Sequence, residues 1–436
     1  MMTDNLTLKA LAQTGGRLRL PGSKSISNRA LLIAAHANGV TQLHNLLESD
    51  DTRYLRNALA TLGVPINDAI EGLRVKGTNG PLVPSTAQPT AEPKELQLGM
   101  AGTAYRPLTA ALCLGSGVFD LLGNTRMSER PIGHLVDALR ELGADIHYLG
   151  QTDYPPLRVR GTGLTGGTVS IKGNLSSQYL TSLLLSAPLL PTELTVNIDG
   201  ELVSKPYLDI TLALMRTFGA QIEHDDYSVF RVAPGGYQAV DDYLIEGDAS
   251  NATYFLAAGA ISGRGITVEG IGAASVQGDV AFTEVLKKMG AGVSVDTHSV
   301  TVHPGRLAAI DLDLNHIPDA AMTVAVLALF AEGTSTLRNL YNLRVKETDR
   351  LAALATELRK VGATVVEGRD FLQITPPTEF RHATIHTYDD HRMAMCFALL
   401  ALGGVEVTLE DPQCVNKTFP NFFTEFAKVA AAPVAV

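Results

Sequence analysis

The segment GSKSISNR, beginning at Gly22, gathers Lys24, Ser25 and Arg29 ahead of a long Ala, Leu and Ile run. A helix that starts there presents unpaired backbone N–H groups and partial positive charge, so the turn suits a phosphate or carboxylate, with the side chains as added donors. The spacing is not that of a nucleotide-binding loop, which needs GxxxxGK followed by Ser or Thr: Ser23 precedes Lys24, and Leu18 stands six residues before it. Taken alone, the motif reads equally well as a capped helix with solvent-facing cations.

Comparable chemistry recurs where other polar turns lead into apolar runs. AGTAYRP holds Gly102, Thr103 and Arg106, and RMSERP adds Arg126 and Arg130. LSSQYL offers Ser176, Ser177 and Gln178, an uncharged hydroxyl and amide set suited to a phosphate or polyol. In NHIPDAAM, Asp319 precedes an almost wholly apolar stretch and would serve either as an ordinary N-cap or as a general base. NLRVKETDR, residues 342–350, is the densest cluster. If helix has begun there, Lys346 and Arg350 share a face at i,i+4 and Glu347 neighbours Arg350 at i,i+3, although a solvated, salt-bridged helix start has the same composition. DDHRMAM brings Asp390, His391 and Arg392 together, and NKTFP adds Lys417.

These cations sit in a chain of formal net charge -10, which argues against nucleic-acid or anionic-membrane binding and makes any anion site local. Convergence would make a deep cationic pocket between two domains, for one multiply anionic small molecule or two anionic substrates, with Asp319 and Glu347 as candidate proton carriers. Neither metal-ligand spacing nor a Rossmann glycine fingerprint accompanies them, so no metal and no dinucleotide cofactor is expected.

The elements that must position these residues repeat. Six polar-to-apolar starts, marked by Ser23, Ala101, Ser176, Asp248, Asp319 and Asp390, are spaced by 78, 75, 72, 71 and 71 residues. Between them recurs an amphipathic helix closing on Gly63, Gly143, Gly219, Gly290 or Gly362, and segments such as GGTVSIKG, TELTVNID, GITVEGIG, HSVTVHPG and VEVTLEDP read as strands. The sixth unit is short by about one strand pair, which the first 22 residues would supply. The expectation is an α/β protein of two three-unit domains, residues 23–246 and residues 1–22 with 247–436; the alternative is a six-unit open solenoid. The Pro-, Thr- and Ser-rich insertion at 78–97 reads as a mobile surface loop.

A length of 436 residues favours two domains, and 45% hydrophobic with 18% charged residues is ordinary globular composition. Cys113, Cys396 and Cys414 lack any paired spacing and read as reduced thiols. With no secretory n-region and no membrane-spanning apolar run, a soluble, cytoplasmic protein is expected, with monomer as the default.

The set LPGSKSISNRALLIAAHANG, GMAGTAYRPLTAAL, RMSERPIGHLVDAL, LVSKPYLDIT, EGDASNATYFLAA, NHIPDAAMT, NLRVKETDRL and DDHRMAMCFALLAL, in that order from Leu18 to about Phe422, strongly resembles the glyphosate-sensitive bacterial and plant class of the 5-enolpyruvylshikimate-3-phosphate (EPSP) synthase family. The resemblance implies an inside-out α/β barrel of six βαβαββ repeats, three per domain. It implies transfer of the enolpyruvyl group of phosphoenolpyruvate to the 5-hydroxyl of shikimate 3-phosphate, by addition and elimination without metal or cofactor, in aromatic amino-acid biosynthesis.

By the same resemblance, Lys24, Ser25 and Arg29 contact the shikimate phosphate, with Lys24 reaching both substrates. Ser176, Ser177, Ser204 and Lys346 are further shikimate 3-phosphate contacts, Asp319 and Asn342 hold its hydroxyls, and Gln178 lies near the forming intermediate. Gly102, Arg130, Arg350, Arg392 and Lys417 resemble the phosphoenolpyruvate site. The continuous domain would be the shikimate 3-phosphate side, and the discontinuous one the phosphoenolpyruvate side with the catalytic carboxylates. Asp319 is implied as acceptor of the 5-hydroxyl proton and Glu347 as the acid that protonates the methylene, with Lys24 as rival.

One departure is Met100 in LGMAGTAYRP, where the family usually has Asn; Gly102 and Pro107 match the sensitive pattern. An active enzyme with altered glyphosate response is expected. The sister transferase acting on UDP-N-acetylglucosamine shares the architecture but typically carries a lid cysteine, which GNTRMSERP lacks. A non-catalytic anion-binding protein on the same scaffold is the reading from another class, and the presence of Asp319, Glu347 and the Lys24 motif argues against it.

Overall fold

Alternation of side chains along Gly167–Lys172 buries Val169 and Ile171 and leaves their neighbours exposed, the pattern of a strand with one wet face. This strand runs parallel to Leu194–Asp199, which pairs antiparallel with Val229–Val232, and that in turn with Ile222–Asp225. The same parallel, antiparallel, antiparallel order recurs in four further four-stranded sheets. A three-stranded sheet follows it in part: Ala383–Ile385 lies parallel to Val407–Glu410, against which Asn5–Leu8 runs antiparallel. The amino-terminal segment thus supplies a strand to the short last unit.

The computed structural model describes residues 5–69, 72–83, 92–174 and 176–431, so the centre of the 78–97 insertion lies outside the described residues. The chain divides into two compact units, Gly22–Ile245 and Met1–Pro21 with Glu246–Val436. The first unit holds helices α1 (Lys24–His36), α2 (Asp50–Thr61), α3 (Gly102–Cys113), α4 (Gly133–Glu141), α5 (Ser177–Ser186) and α6 (Pro206–Thr217). The second holds α7 (Ala249–Ile261), α8 (Phe282–Met289), α9 (Ala321–Leu327), α10 (Arg350–Lys360), α11 (His391–Phe397) and α12 (Phe422–Val429).

Within each unit the helices are of two kinds. Helices α1, α3, α5, α7, α9 and α11 are mostly apolar beyond their first turns and buried on nearly every side. Helices α2, α4, α6, α8 and α10 bury one face, and the glycines that follow them, Gly63, Gly143, Gly219, Gly290 and Gly362, take φ between +86° and +103°, a left-handed turn that costs a side-chain-bearing residue energy. Each fully buried Leu or Ile contributes roughly 1.5–3 kcal/mol, so the all-buried helices anchor the two cores. Their amino termini, where the polar residues cluster, are thereby held rigidly.

The chain passes between the units twice. Gly16–Arg19 pairs with Ile266–Glu269 before the first passage, and Asp242–Leu244 pairs with Val40–His44 before the second. A Cβ at Gly22 would lie 1.9 Å from the Asn45 carbonyl oxygen, so only glycine fits the first passage. No helix among the described residues is long and apolar enough to cross a membrane.

Two local expectations need correction. The run 342–350 is not helical throughout: Tyr341–Val345 is a tight turn, Asp349 caps α10 by accepting from Ala352 N, and Arg350 is the first helical residue. Lys346 and Arg350 therefore do not share a helix face. Asp319 is not an N-cap either, because α9 begins at Ala321 with Ala320 in the cap position.

Candidate functional site

In the unit Gly22–Ile245, Ser23 caps α1 by accepting from Ile26 N, which leaves Lys24, Ser25 and Arg29 on its first two turns. Arg29 is buried and donates to the hydroxyls of Thr211 (2.8 Å) and Thr181 (3.4 Å) and to the carbonyls of Ser25 (2.9 Å) and Tyr207 (3.3 Å). All four acceptors are neutral. Burial pulls its pKa down to about 10, the mark of a cation without a nearby counterion. Tyr207 lies on the first turn of α6, just after buried Ser204, which takes φ +57°. Lys24 differs, since Asp51 of α2 approaches its Nζ to 3.6 Å.

Helix α3 starts beside a second buried cation. Arg130 Nη1 donates to the Met100 carbonyl at 3.2 Å, its Nε finds no acceptor, and no carboxylate among the described residues lies within ion-pair distance. A Cβ on Gly102 would stand 3.0 Å from Arg130 Nη2 and 3.1 Å from Gln178 Oε1, so the missing side chain is what lets these groups converge. Gln178 Oε1 accepts from Arg106 Nη1, whose guanidinium lies 5.2 Å over the Tyr179 ring. Ser176 caps α5 by accepting from Gln178 N at 3.3 Å, with Ser177 next to it, and Asn28 Nδ2 donates to Thr103 Oγ1 at 2.6 Å. The starts of α1, α3 and α5 are thus linked, and this unit's expected site residues are brought together around helix amino termini.

The unit of Met1–Pro21 and Glu246–Val436 has a different electrostatic character, centred on Asp319. Its Oδ1 accepts from Arg350 Nη1 (3.0 Å) and Lys346 Nζ (3.3 Å), and its Oδ2 from Arg392 Nη2 (2.9 Å). Burial alone would push this carboxyl up, but Arg392, Lys346 and Arg350 together outweigh it and hold Asp319 well below the usual carboxylate range. Arg350 also grips Asp390, which caps α11, and ion-pairs with Glu347 at 2.9 Å. Three cations thus face three carboxylates. Asn342 and Lys417 are both buried, Asn342 in the turn packed on α10 and Lys417 in a short turn packed on α11.

Sequence reasoning missed Asp51, the Thr181 and Thr211 hydroxyls, Tyr254, whose hydroxyl accepts from Arg392 Nη1, and Asp279. Asp279 is buried against the Ser250 hydroxyl, and burial, with Asp319 next in effect, pushes its carboxyl up to about 6. None announces itself, because each sits in an ordinary helix start or apolar run. Among the described residues no group of three or more His, Cys, Asp or Glu is placed to hold a metal.

Residues 8–426 match the family model of EPSP synthase, 3-phosphoshikimate 1-carboxyvinyltransferase. The chain belongs to the EPSP synthase family. Its curated relatives include the 3-phosphoshikimate 1-carboxyvinyltransferase of Serratia proteamaculans, 57% identical over 432 residues that cover 98% of this chain and 99% of that one. The Vibrio cholerae protein of the same name is 56% identical over 430 residues, 98% and 100% of the two chains. Among solved structures, EPSP synthase from Acinetobacter baumannii aligns with a TM-score of 0.80 at 24% identity, over 98% of each chain. The enolpyruvyl transferase NikO from Streptomyces tendae aligns with 0.77 at 19%, over 98% of each chain; at such identities the likeness speaks for the fold alone.

Proposed function

We propose that this member of the EPSP synthase family transfers the enolpyruvyl group of phosphoenolpyruvate to the 5-hydroxyl of shikimate 3-phosphate, releasing phosphate, as a step of aromatic amino-acid biosynthesis. The observation that carries the reading is that Arg29 and Arg130 are buried with no carboxylate partner among the described residues. Desolvating a cation alone is costly, and a bound dianion or carboxylate offsets that cost.

Lys24, Ser25 and Arg29 receive the shikimate phosphate at the start of α1, with Ser176, Ser177, Gln178 and Ser204 as further contacts. Asp319 and Asn342 hold the ring hydroxyls, and Lys346 contacts the shikimate phosphate or ring. Gly102, Arg130, Arg350, Arg392 and Lys417 receive phosphoenolpyruvate, which Lys24 and Gln178 also touch. Arginine forks suit both its carboxylate and its phosphate.

In the addition step the 5-hydroxyl oxygen bonds to C2 of phosphoenolpyruvate while a proton is delivered to C3, giving a tetrahedral intermediate. Loss of a C3 proton then expels phosphate and restores the double bond. Asp319, kept ionised by its three cations, is ready to accept the hydroxyl proton, and its low basicity makes it release that proton again readily. Glu347 delivers the proton to C3, with Lys24 as the alternative. Fixed cations tether both substrates and lower the entropic cost of bringing O5 to C2.

The finer architecture belongs to the same reading: an inside-out α/β barrel of six repeats in two domains, residues 23–246 and residues 1–22 with 247–436, supported by the recurring sheet order. So do a monomeric state, small-molecule partners and a cytoplasmic location, the last consistent with three buried free thiols. Met100 puts a thioether where the family usually has an amide, just before α3 and beside Arg130, whose Nη1 donates to the Met100 carbonyl, so Met100→Asn is expected to change inhibition by glyphosate.

Phosphate release from phosphoenolpyruvate with shikimate 3-phosphate, compared with UDP-N-acetylglucosamine, tests the assignment. Release with the shikimate substrate alone supports it; release with the nucleotide sugar alone, or with neither, overturns it.

A further inference from the structure

Arg350 and Arg392 both bond Asp319, yet their remaining partners differ in kind. Arg350 meets carboxylates on every nitrogen: Asp390 on Nε and Nη2, Glu347 on Nη2, and Asp319 on Nη1. Arg392 meets Asp319 through Nη2 at 2.9 Å, and through Nη1, also at 2.9 Å, it meets the hydroxyl of Tyr254. Tyr254 is wholly buried near the middle of α7, followed by the apolar run from Phe255 to Ile261, and its ring stands edge-on to Phe422 at 5.7 Å and 82°. An aromatic ring so packed has little rotamer freedom, so its hydroxyl is a fixed point.

We infer that Tyr254 is a positioning residue for Arg392, a neutral acceptor that fixes the plane of the guanidinium without cancelling its charge. A carboxylate in its place would add a second negative partner beside Asp319, as Arg350 has beside its own. With no acceptor there, the guanidinium would turn to take both oxygens of Asp319, the bidentate geometry Arg350 already adopts with Asp390, and would present less charge to an incoming anion. Burial pushes the phenol pKa far up, so Tyr254 stays neutral through the working pH range. The inference rests on the proposed placing of Arg392 in the phosphoenolpyruvate site.

The test is steady-state kinetics of the full chain at saturating shikimate 3-phosphate, on wild type, Tyr254→Phe, Arg392→Gln and the double variant. Loss of one hydrogen bond to a charged group predicts a rise of about tenfold in the KM for phosphoenolpyruvate in Tyr254→Phe. The KM for shikimate 3-phosphate and the thermal midpoint are expected to stay near wild type, and Tyr254→Phe is expected to add nothing in the Arg392→Gln background. An unchanged phosphoenolpyruvate KM in Tyr254→Phe beside a raised one in Arg392→Gln overturns the inference. So does an equal rise in both backgrounds, which would mark a general packing role. If Arg392→Gln itself leaves that KM unchanged, the placing of Arg392 is what fails, and the inference falls with it. Should Tyr254→Phe give no cooperative melt, Tyr254→3-fluorotyrosine keeps the ring's packing while weakening the acceptor, and a smaller rise in the same KM is expected, its absence counting against the inference.

Discussion

Arg350 and Asp390 form a bidentate ion pair, Nε to Oδ2 at 2.7 Å and Nη2 to Oδ1 at 3.2 Å, with side chains 1% and 0% exposed. The pair ties the first residue of α10 to the cap of α11. Breaking it from the carboxylate side leaves a buried cation with less compensation, so Asp390→Ala is expected to cost about 3–5 kcal/mol. Asp390→Asn keeps the cap on Arg392 N and is expected to cost less. Urea denaturation measures both; a loss below about 1 kcal/mol for Asp390→Ala would show that Asp319 and Glu347 alone satisfy Arg350.

Much of this was legible in the chain. The period of 71–78 residues, the five glycines that close amphipathic helices and the five strand segments all correspond to elements of the structure. Buried helices announce themselves by apolarity on every face, and helix starts by Ser, Asp and Gly. What stayed hidden were contacts between residues far apart in sequence. Glu357, in LAALATELRKVG, reads as part of a wet face, yet it is fully buried and accepts from the Tyr388 hydroxyl (2.8 Å) and His386 N (3.2 Å). Tyr388 and Asp389 both take positive φ just before Asp390, a strained pair that this carboxylate helps hold. Spacing along one helix carries no information about a loop some thirty residues away. Likewise Asp319 resembled an N-cap because an apolar stretch follows it, and only the converging cations distinguish its role.

Asp279 makes a pH-dependent contribution whose sign follows from its raised pKa. Between the ordinary aspartate value of 3.8 and about 6 the folded state binds more protons than the unfolded one, so stability falls as pH rises through that window and the penalty is complete above it. Asp279→Asn retains an oxygen for the Ser250 hydroxyl and removes the charge. It is expected to stabilise the protein by on the order of 2 kcal/mol at pH 7.5, with the gain vanishing near pH 4. Thermal unfolding of wild type and variant across that range decides; a difference that does not change with pH would mean that Asp279 is not the group titrating.

Gly102 is the point of closest approach at the start of α3. Alanine there would put a Cβ within 3.0–3.1 Å of Arg130 Nη2 and Gln178 Oε1, which must then give by a few tenths of an ångström. Both are side-chain ends, and alanine suits a helix better than glycine, so Gly102→Ala is expected to leave the thermal midpoint unchanged or slightly raised. Because the displaced groups are those proposed to receive phosphoenolpyruvate, its KM is expected to rise about tenfold or more, the effect of a misplaced fork. A lowered midpoint with unchanged KM would make this glycine a packing residue only.

Arg29 provides the most direct separation of binding from folding. Its four acceptors are neutral and lie on α1, α5 and α6, so the guanidinium cross-links three helices while no carboxylate among the described residues pairs with its charge. A ligand that binds only the folded state raises stability by about 2.7 kcal/mol at a hundred times its dissociation constant. Shikimate 3-phosphate is therefore expected to raise the thermal midpoint of the wild type by several degrees, with inorganic phosphate giving a weaker rise in the same direction. Arg29→Gln preserves some hydrogen bonding to Thr181 and Thr211 but removes the cation. Its unliganded midpoint is expected to lie near or above wild type, because the desolvation penalty that pulls the Arg29 pKa down disappears, whereas the ligand-induced rise is expected to be lost. Retention of the full ligand-induced rise would move the shikimate phosphate away from the α1 terminus and leave Arg29 as a structural cross-link.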